Sequence, residues 1–149
     1  MTLEKFRILH STLVEHYQFI EAHLEGIYAA VSEKSFTDAL KDVEKDGLGG
    51  ILRDIQWLER KKKIDVLSDE ECDRLREIFE RRNFWCHSCY FEMVFDRETG
   101  GPAKVRDVQQ LMDDLKAAQQ WRELLFEKKI SLMREKIDKK KKANDADLA

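Results

Sequence analysis

Apolar residues recur every three or four positions along most of this chain, and only a few short segments break the rhythm. Between Leu3 and about Val31, the positions Phe6, Leu9, Leu13, Tyr17, Ile20, Leu24, Ile27 and Val31 form one sustained stripe, which predicts a long amphipathic helix. Off-stripe apolar residues such as Val14 and Phe19 argue against a simple coiled coil, so this helix is expected to span a bundle. Ser35 can cap a short second helix through Val43, with Phe36, Leu40 and Val43 facing inward. Gly47, Leu48, Gly49 and Gly50 interrupt the pattern, and Leu48, Ile51, Leu52, Ile55 and Leu58 carry a third helix as far as Lys61.

Ser68 followed by Asp69, Glu70 and Glu71 has the form of a capping box, with acids at the positive end of the helix dipole. The helix it opens continues through Leu75, Ile78, Phe79, Arg82, Trp85, Cys86, Cys89 and Met93 toward Phe95, which places Arg82 on the buried side or at its border. A loop from Asp96 to Gly101 leads to Pro102, which suits the first turn of a last helix beginning near Ala103. Val105, Val108, Met112, Leu115, Ala118, Leu125, Leu132 and Ile137 carry that helix, which can bend near its middle.

Composition agrees with this pattern. With 149 residues, 38 % of them charged, and only six Gly and one Pro, the chain is expected to be all-α: an up-and-down bundle of about four to five helices. One domain over residues 1–138 is expected, followed by a Lys-rich, disordered tail over 139–149. Met1 to His10 lacks the positive segment and apolar run of a secretory signal, and no stretch reaches the roughly 18 apolar residues of a membrane span. A cytoplasmic setting, without membrane association, is therefore the expectation, and the three cysteines are read as reduced thiols. A net charge of −3 excludes nucleic-acid coating by bulk charge, so any RNA contact must be local. Arg60 to Lys63 and Lys139 to Lys142 are the two basic stretches that can supply one, although each also reads as a solvated helix end.

The densest chemistry lies in Glu80 Arg81 Arg82 Asn83 Phe84 Trp85 Cys86 His87 Ser88 Cys89 Tyr90. A guanidinium, an amide and an imidazole occur within six residues, between large aromatics. Arginine can hold a phosphate with its fork of donors, and histidine titrates near neutral pH. RNA carries its own nucleophile, the 2′-hydroxyl; His87 can act as base or acid, Arg82 can stabilise charge on the non-bridging oxygens, and Asn83 can orient either group. That chemistry yields a 2′,3′-cyclic phosphate and a 5′-hydroxyl without a metal or other cofactor. Arg81, Trp85, Lys61, Lys62 and Lys63 are the candidate RNA-binding residues; Trp85 and Phe84 can stack on bases, although in a helix of this kind such residues are more often core or dimer contacts.

Arg82, Asn83 and His87 reproduce the spacing of arginine, polar residue and, after four intervening positions, histidine that marks the HEPN superfamily, and in this respect the chain resembles that family. A glycine among apolar residues at the start of the third helix is a further, weaker similarity. The resemblance implies a homodimer with a composite cleft between the motif helices, ribonuclease activity, and a place as toxin or effector in a bacterial toxin–antitoxin or defence system, with an antitoxin or regulatory protein as partner. HEPN toxins commonly carry a tyrosine two positions after the histidine; here Cys89 holds that place and Tyr90 follows.

Residues five apart on a regular helix stand about 140° apart, so Arg82 and His87 of one chain converge poorly unless a kink intervenes or two copies meet across a two-fold axis. Two other classes compete with the nuclease. One is a HEPN-like module that binds a nucleotide or a protein without cutting; the other is a helical adaptor in which Arg82 pairs with Glu77, Glu80 or an acid on another helix. Alternative chemistries are thinner. Cys86 and Cys89 lack a second pair for zinc, Cys86 and His87 point apart on a helix, His16 and His23 share a face without a partner at i+4, and the Gly47 to Gly50 segment lacks the Lys and Ser or Thr of a phosphate loop.

Overall fold

The computed structural model describes residues 1–101, 105, 106 and 108–148. The expected helix start at Pro102 and Ala103, and the last residue of the expected tail, lie outside the described residues. The chain is all-helical, with five α-helices, one π-helical turn and no β-strand among the described residues. The helices are α1 (Leu3–Val31), α2 (Phe36–Val43), α3 (Leu48–Lys62), α4 (Asp69–His87) and α5 (Val108–Leu148), with the π turn at Tyr90–Val94. No helix among the described residues is long and apolar enough to cross a membrane.

By packing, the chain divides into two compact units. The first comprises Met1–Ile20 and Glu70–Arg122; the second comprises Glu21–Asp69 and Glu123–Ala149. Helices α1 and α5 each contribute a segment to both. In the first unit Phe6, Leu13, Tyr17 and Ile20 of α1 are buried with Cys72, Leu75, Ile78 and Trp85 of α4 and Leu111 and Ala118 of α5. These are the three- and four-residue spacings read from the sequence, now with their faces turned inward.

In the second unit, Ser35 Oγ accepts from Asp38 N at 3.3 Å and opens α2 as expected. Helix α3 buries Leu48, Ile51, Leu52, Ile55 and Leu58, and ends where Lys63 takes the left-handed conformation (φ 53°). That conformation costs a non-glycine residue about 1 kcal/mol. The chain then turns sharply, held by Glu59 Oε1, which accepts from Val66 N (3.1 Å) and Leu67 N (2.7 Å). Lysines close the other end of the unit. Lys136 Nζ donates to the carbonyls of Ala29, Ser32 and Lys34 at 2.8, 2.9 and 2.6 Å, and Lys62 Nζ to Val31 O at 2.6 Å. Orphan carbonyls and the negative dipole end of α1 both favour cations there.

Two boundaries differ from the sequence reading. Helix α4 ends at His87 instead of running to Phe95, and Phe95 N closes a wider i to i+5 turn onto Tyr90 O at 2.8 Å. Val105 lies outside the last helix, which begins at Val108. Helix α5 runs on to Leu148, past Ile137 where the apolar spacing ends.

Candidate active site

The buried Leu75 and Ile78 stripe of α4 continues to its last two turns, which meet His10 of α1 and Asp114 of α5 within the first unit. There the sequence splits into two faces with different fates. On the inner face lie Arg81, Trp85 and Cys89. The Asp114 carboxylate of α5 accepts from Arg81 Nε at 2.7 Å and from Trp85 Nε1 at 2.6 Å through the same oxygen. Its other oxygen accepts from Gln110 Nε2 at 2.9 Å. Arg81 also lies over the Phe84 ring, with Cζ 4.8 Å from the centroid. Trp85 has no exposed surface.

This arrangement corrects two expectations. Trp85 cannot stack on a base, because its ring is enclosed and its single donor is spent on Asp114. Arg81 is tied up by a carboxylate on another helix, so its charge is largely offset. The adaptor reading assigned such a pairing to Arg82; the structure gives it to the preceding residue.

The outer face carries the motif. Arg82 is half-buried, forms no ion pair among the described residues, and makes a 3.3 Å contact from Nη1 to Asn83 Oδ1. Glu77, one of its expected partners, pairs with Arg74 instead, at 3.3 Å. Asn83 and His87 are exposed, and His87 makes no hydrogen bond among the described residues. Because α4 is regular through His87, no kink brings His87 round to Arg82, and the arc of about 140° between them stands.

Immediately beyond His87 the helix loosens, where side chains from another helix and from its own next turn reach one of its carbonyls. His10 of α1 donates from Nε2 to Trp85 O at 2.7 Å, and Cys89 Sγ reaches the same carbonyl at 3.1 Å. Side chains entering the backbone ladder are a recognised cause of helix distortion. Tyr90, on the π turn, packs edge-on to Phe6 and His10 at centroid distances of 5.5 and 5.4 Å. Burial pushes the Cys89 thiol up to about 11, so at neutral pH it stays protonated. The Tyr17 phenol is pushed well above its ordinary value, first by burial and then by the charge of Asp114. Among the described residues no group of three or more His, Cys, Asp or Glu could hold a metal ion.

His16 and His23, weighed as a same-face pair, each face a cation. Arg122 Nη1 lies 3.2 Å from His16 Nδ1, and Lys129 Nζ lies 3.1 Å from His23 Nδ1. A lysine or arginine can only donate, so both imidazoles accept at Nδ1 and serve packing. The basic candidates in the second unit also divide: Lys62 is consumed by Val31 O and by Glu33 at 3.0 Å, whereas Lys61 and Lys63 are exposed.

Sequence reasoning missed Asp114 and His10, although both were signalled. Asp114 stands three positions after Leu111 and four before Ala118; His10 stands four after Phe6 and three before Leu13. A polar residue on an apolar stripe implies a buried partner. No family model, curated protein or solved structure matches the chain.

Proposed function

We propose that the chain is a HEPN-type, metal-independent endoribonuclease acting as a homodimer, in which Arg82 of one copy and His87 of the other flank one scissile phosphate. One observation carries this reading: the motif residues Arg82, Asn83 and His87 lie outside the packing that consumes Arg81, Trp85 and Cys89 between and beside them. A fold that needed Arg82 only for stability would give it an acid, as it gives one to Arg81.

The geometry supports the following division of labour in this reading. Asp114 anchors the inner face of α4, so the backbone that bears Arg82 and His87 is held without using either. Arg82 grips the non-bridging oxygens, most strongly as charge builds in the transition state. His87 takes the 2′-hydroxyl proton or returns one to the leaving 5′-oxygen, and Asn83, in contact with Arg82, sets the orientation of the guanidinium. In a cell this activity belongs to a toxin or defence effector held in check by a partner protein.

A second reading rests on the separation of Arg82 and His87 around an unbroken helix, which suits a module that binds a nucleotide or a protein without cutting it.

The test is incubation of the purified chain with total RNA in excess EDTA, beside His87→Ala and Arg82→Ala. Fragments with cyclic-phosphate ends are expected from the wild type and at least about 100-fold less from either variant, with folding intact. Absent or undiminished cleavage would move the assignment to the binding module.

A further inference from the structure

Helix α3 has one face buried and one face that nothing in the second unit uses. Taking Arg53 as the origin and about 100° per residue, Trp57, Arg60 and Lys61 fall within roughly 100° of arc, opposite Leu48, Ile51, Leu52, Ile55 and Leu58. All four are exposed. Trp57 keeps 52 % of its surface open, and the Lys61 ammonium lies 4.8 Å from its ring centroid. Lys63, exposed in its left-handed cap, follows the last turn of the helix.

Of the acids of α3, Glu59 binds two backbone amides, and Asp54 is half-buried at the edge of the stripe near Asp46. Arg53 lies beside that acidic pair. Arg60, Lys61 and Lys63 form no ion pair among the described residues. A large indole left open among unpaired cations is costly in water and matches one class of ligand, which offers both flat π faces and regularly spaced negative charge.

We infer that the outward face of α3 is a binding surface for single-stranded nucleic acid, with a base stacked on Trp57 and phosphates held by Arg60, Lys61 and Lys63. This goes beyond the nuclease reading and does not depend on cleavage. It also replaces the basic set read from the sequence: Lys62 leaves, because it caps α1, and Trp57 enters. An anionic membrane is the poorer match, since the stripe offers only Trp57 and Ile64 as apolar residues.

The experiment uses the full chain and a labelled oligodeoxythymidylate, which lacks the 2′-hydroxyl and so cannot be cut by the proposed chemistry. Binding is followed by fluorescence anisotropy over a range of salt. The wild type is expected to bind, with an affinity that falls as salt rises. Trp57→Ala should weaken binding about tenfold, with Trp57→Phe recovering most of the loss because it keeps a π face. The double variant Arg60→Gln, Lys61→Gln should lower the salt slope by about 1.4, at about 0.7 per phosphate contact. Circular dichroism confirms that these exposed substitutions leave the fold in place. Failure of the wild type to bind, wild-type affinity in both Trp57→Ala and the double variant, or displacement of the oligonucleotide by phosphatidylserine vesicles or a glutamate-rich peptide at equal charge would each overturn the inference. None of these outcomes decides the cleavage test, and a negative cleavage test leaves this surface standing.

Discussion

The two units close their interiors with charged groups in opposite ways. In the first, a single carboxylate, Asp114, collects a guanidinium and an indole N–H from α4. In the second, ammonium groups from α3 and α5 reach backbone carbonyls at the end of α1, four of them at 2.6 to 2.9 Å. The carboxylate fixes side chains and thereby one face of a helix, and Asn83 and His87 stay exposed on the other. Lysines on carbonyls fix a chain end and specify no such face. The contrast explains why adjacent arginines, Arg81 and Arg82, differ so much in their surroundings.

The comparison is broken most strongly at Asp114. Its side chain is only 11 % exposed, so Asp114→Ala leaves the buried Trp85 N–H and a partly buried guanidinium without an acceptor. A loss of about 3 kcal/mol is expected in urea unfolding, with Asp114→Asn costing less because its amide oxygen can still accept from Trp85. A loss below about 1 kcal/mol would show that the carboxylate does not anchor α4.

Lys136→Met is expected to be milder, at about 1 to 2 kcal/mol, because one of the three carbonyls it abandons, that of Lys34, is exposed and Lys62 still serves Val31 O. Hydrogen exchange should rise at Ser32 to Lys34 and stay unchanged at the last turns of α4. Equal effects in both places would contradict separate closure of the units.

The smallest effect concerns the acidic side of α3. Burial, then the hydrogen bond and charge of Asp46, raise the Asp54 carboxyl from 3.8 to about 6. A group whose folded value lies above its unfolded one binds more protons in the native state. The stability it contributes is therefore full below 3.8 and lost as pH rises through about 6. Asp54→Asn should flatten the change in thermal midpoint across that window. An unaltered pH profile in the variant would place the titration elsewhere.

Legibility in the sequence followed the range of the interaction. Helices α1, α2 and α3 were readable almost to the residue, since periodicity, the Ser35 cap and the glycine break are local signals. The end of α4 was not, because the apolar spacing continues past His87 while the ladder is disturbed by His10, 75 positions away in sequence. The motif was legible as residue types, whereas base stacking and core packing stayed open for Trp85, because a tryptophan beside a basic motif looks the same whether it faces a base or a carboxylate.

Sequence alone determined that this chain is helical, which faces of its helices are apolar, and that Arg82, Asn83 and His87 stand within six residues of one another. Those properties depend on side-chain spacing and backbone propensity, which act over a few residues. Tertiary structure decided which charges are neutralised: Arg81 by Asp114, Lys62 and Lys136 by the end of α1, and Glu59 by the turn that follows α3. Burying a polar group requires a partner at hydrogen-bond distance, and here that partner usually lies on another helix.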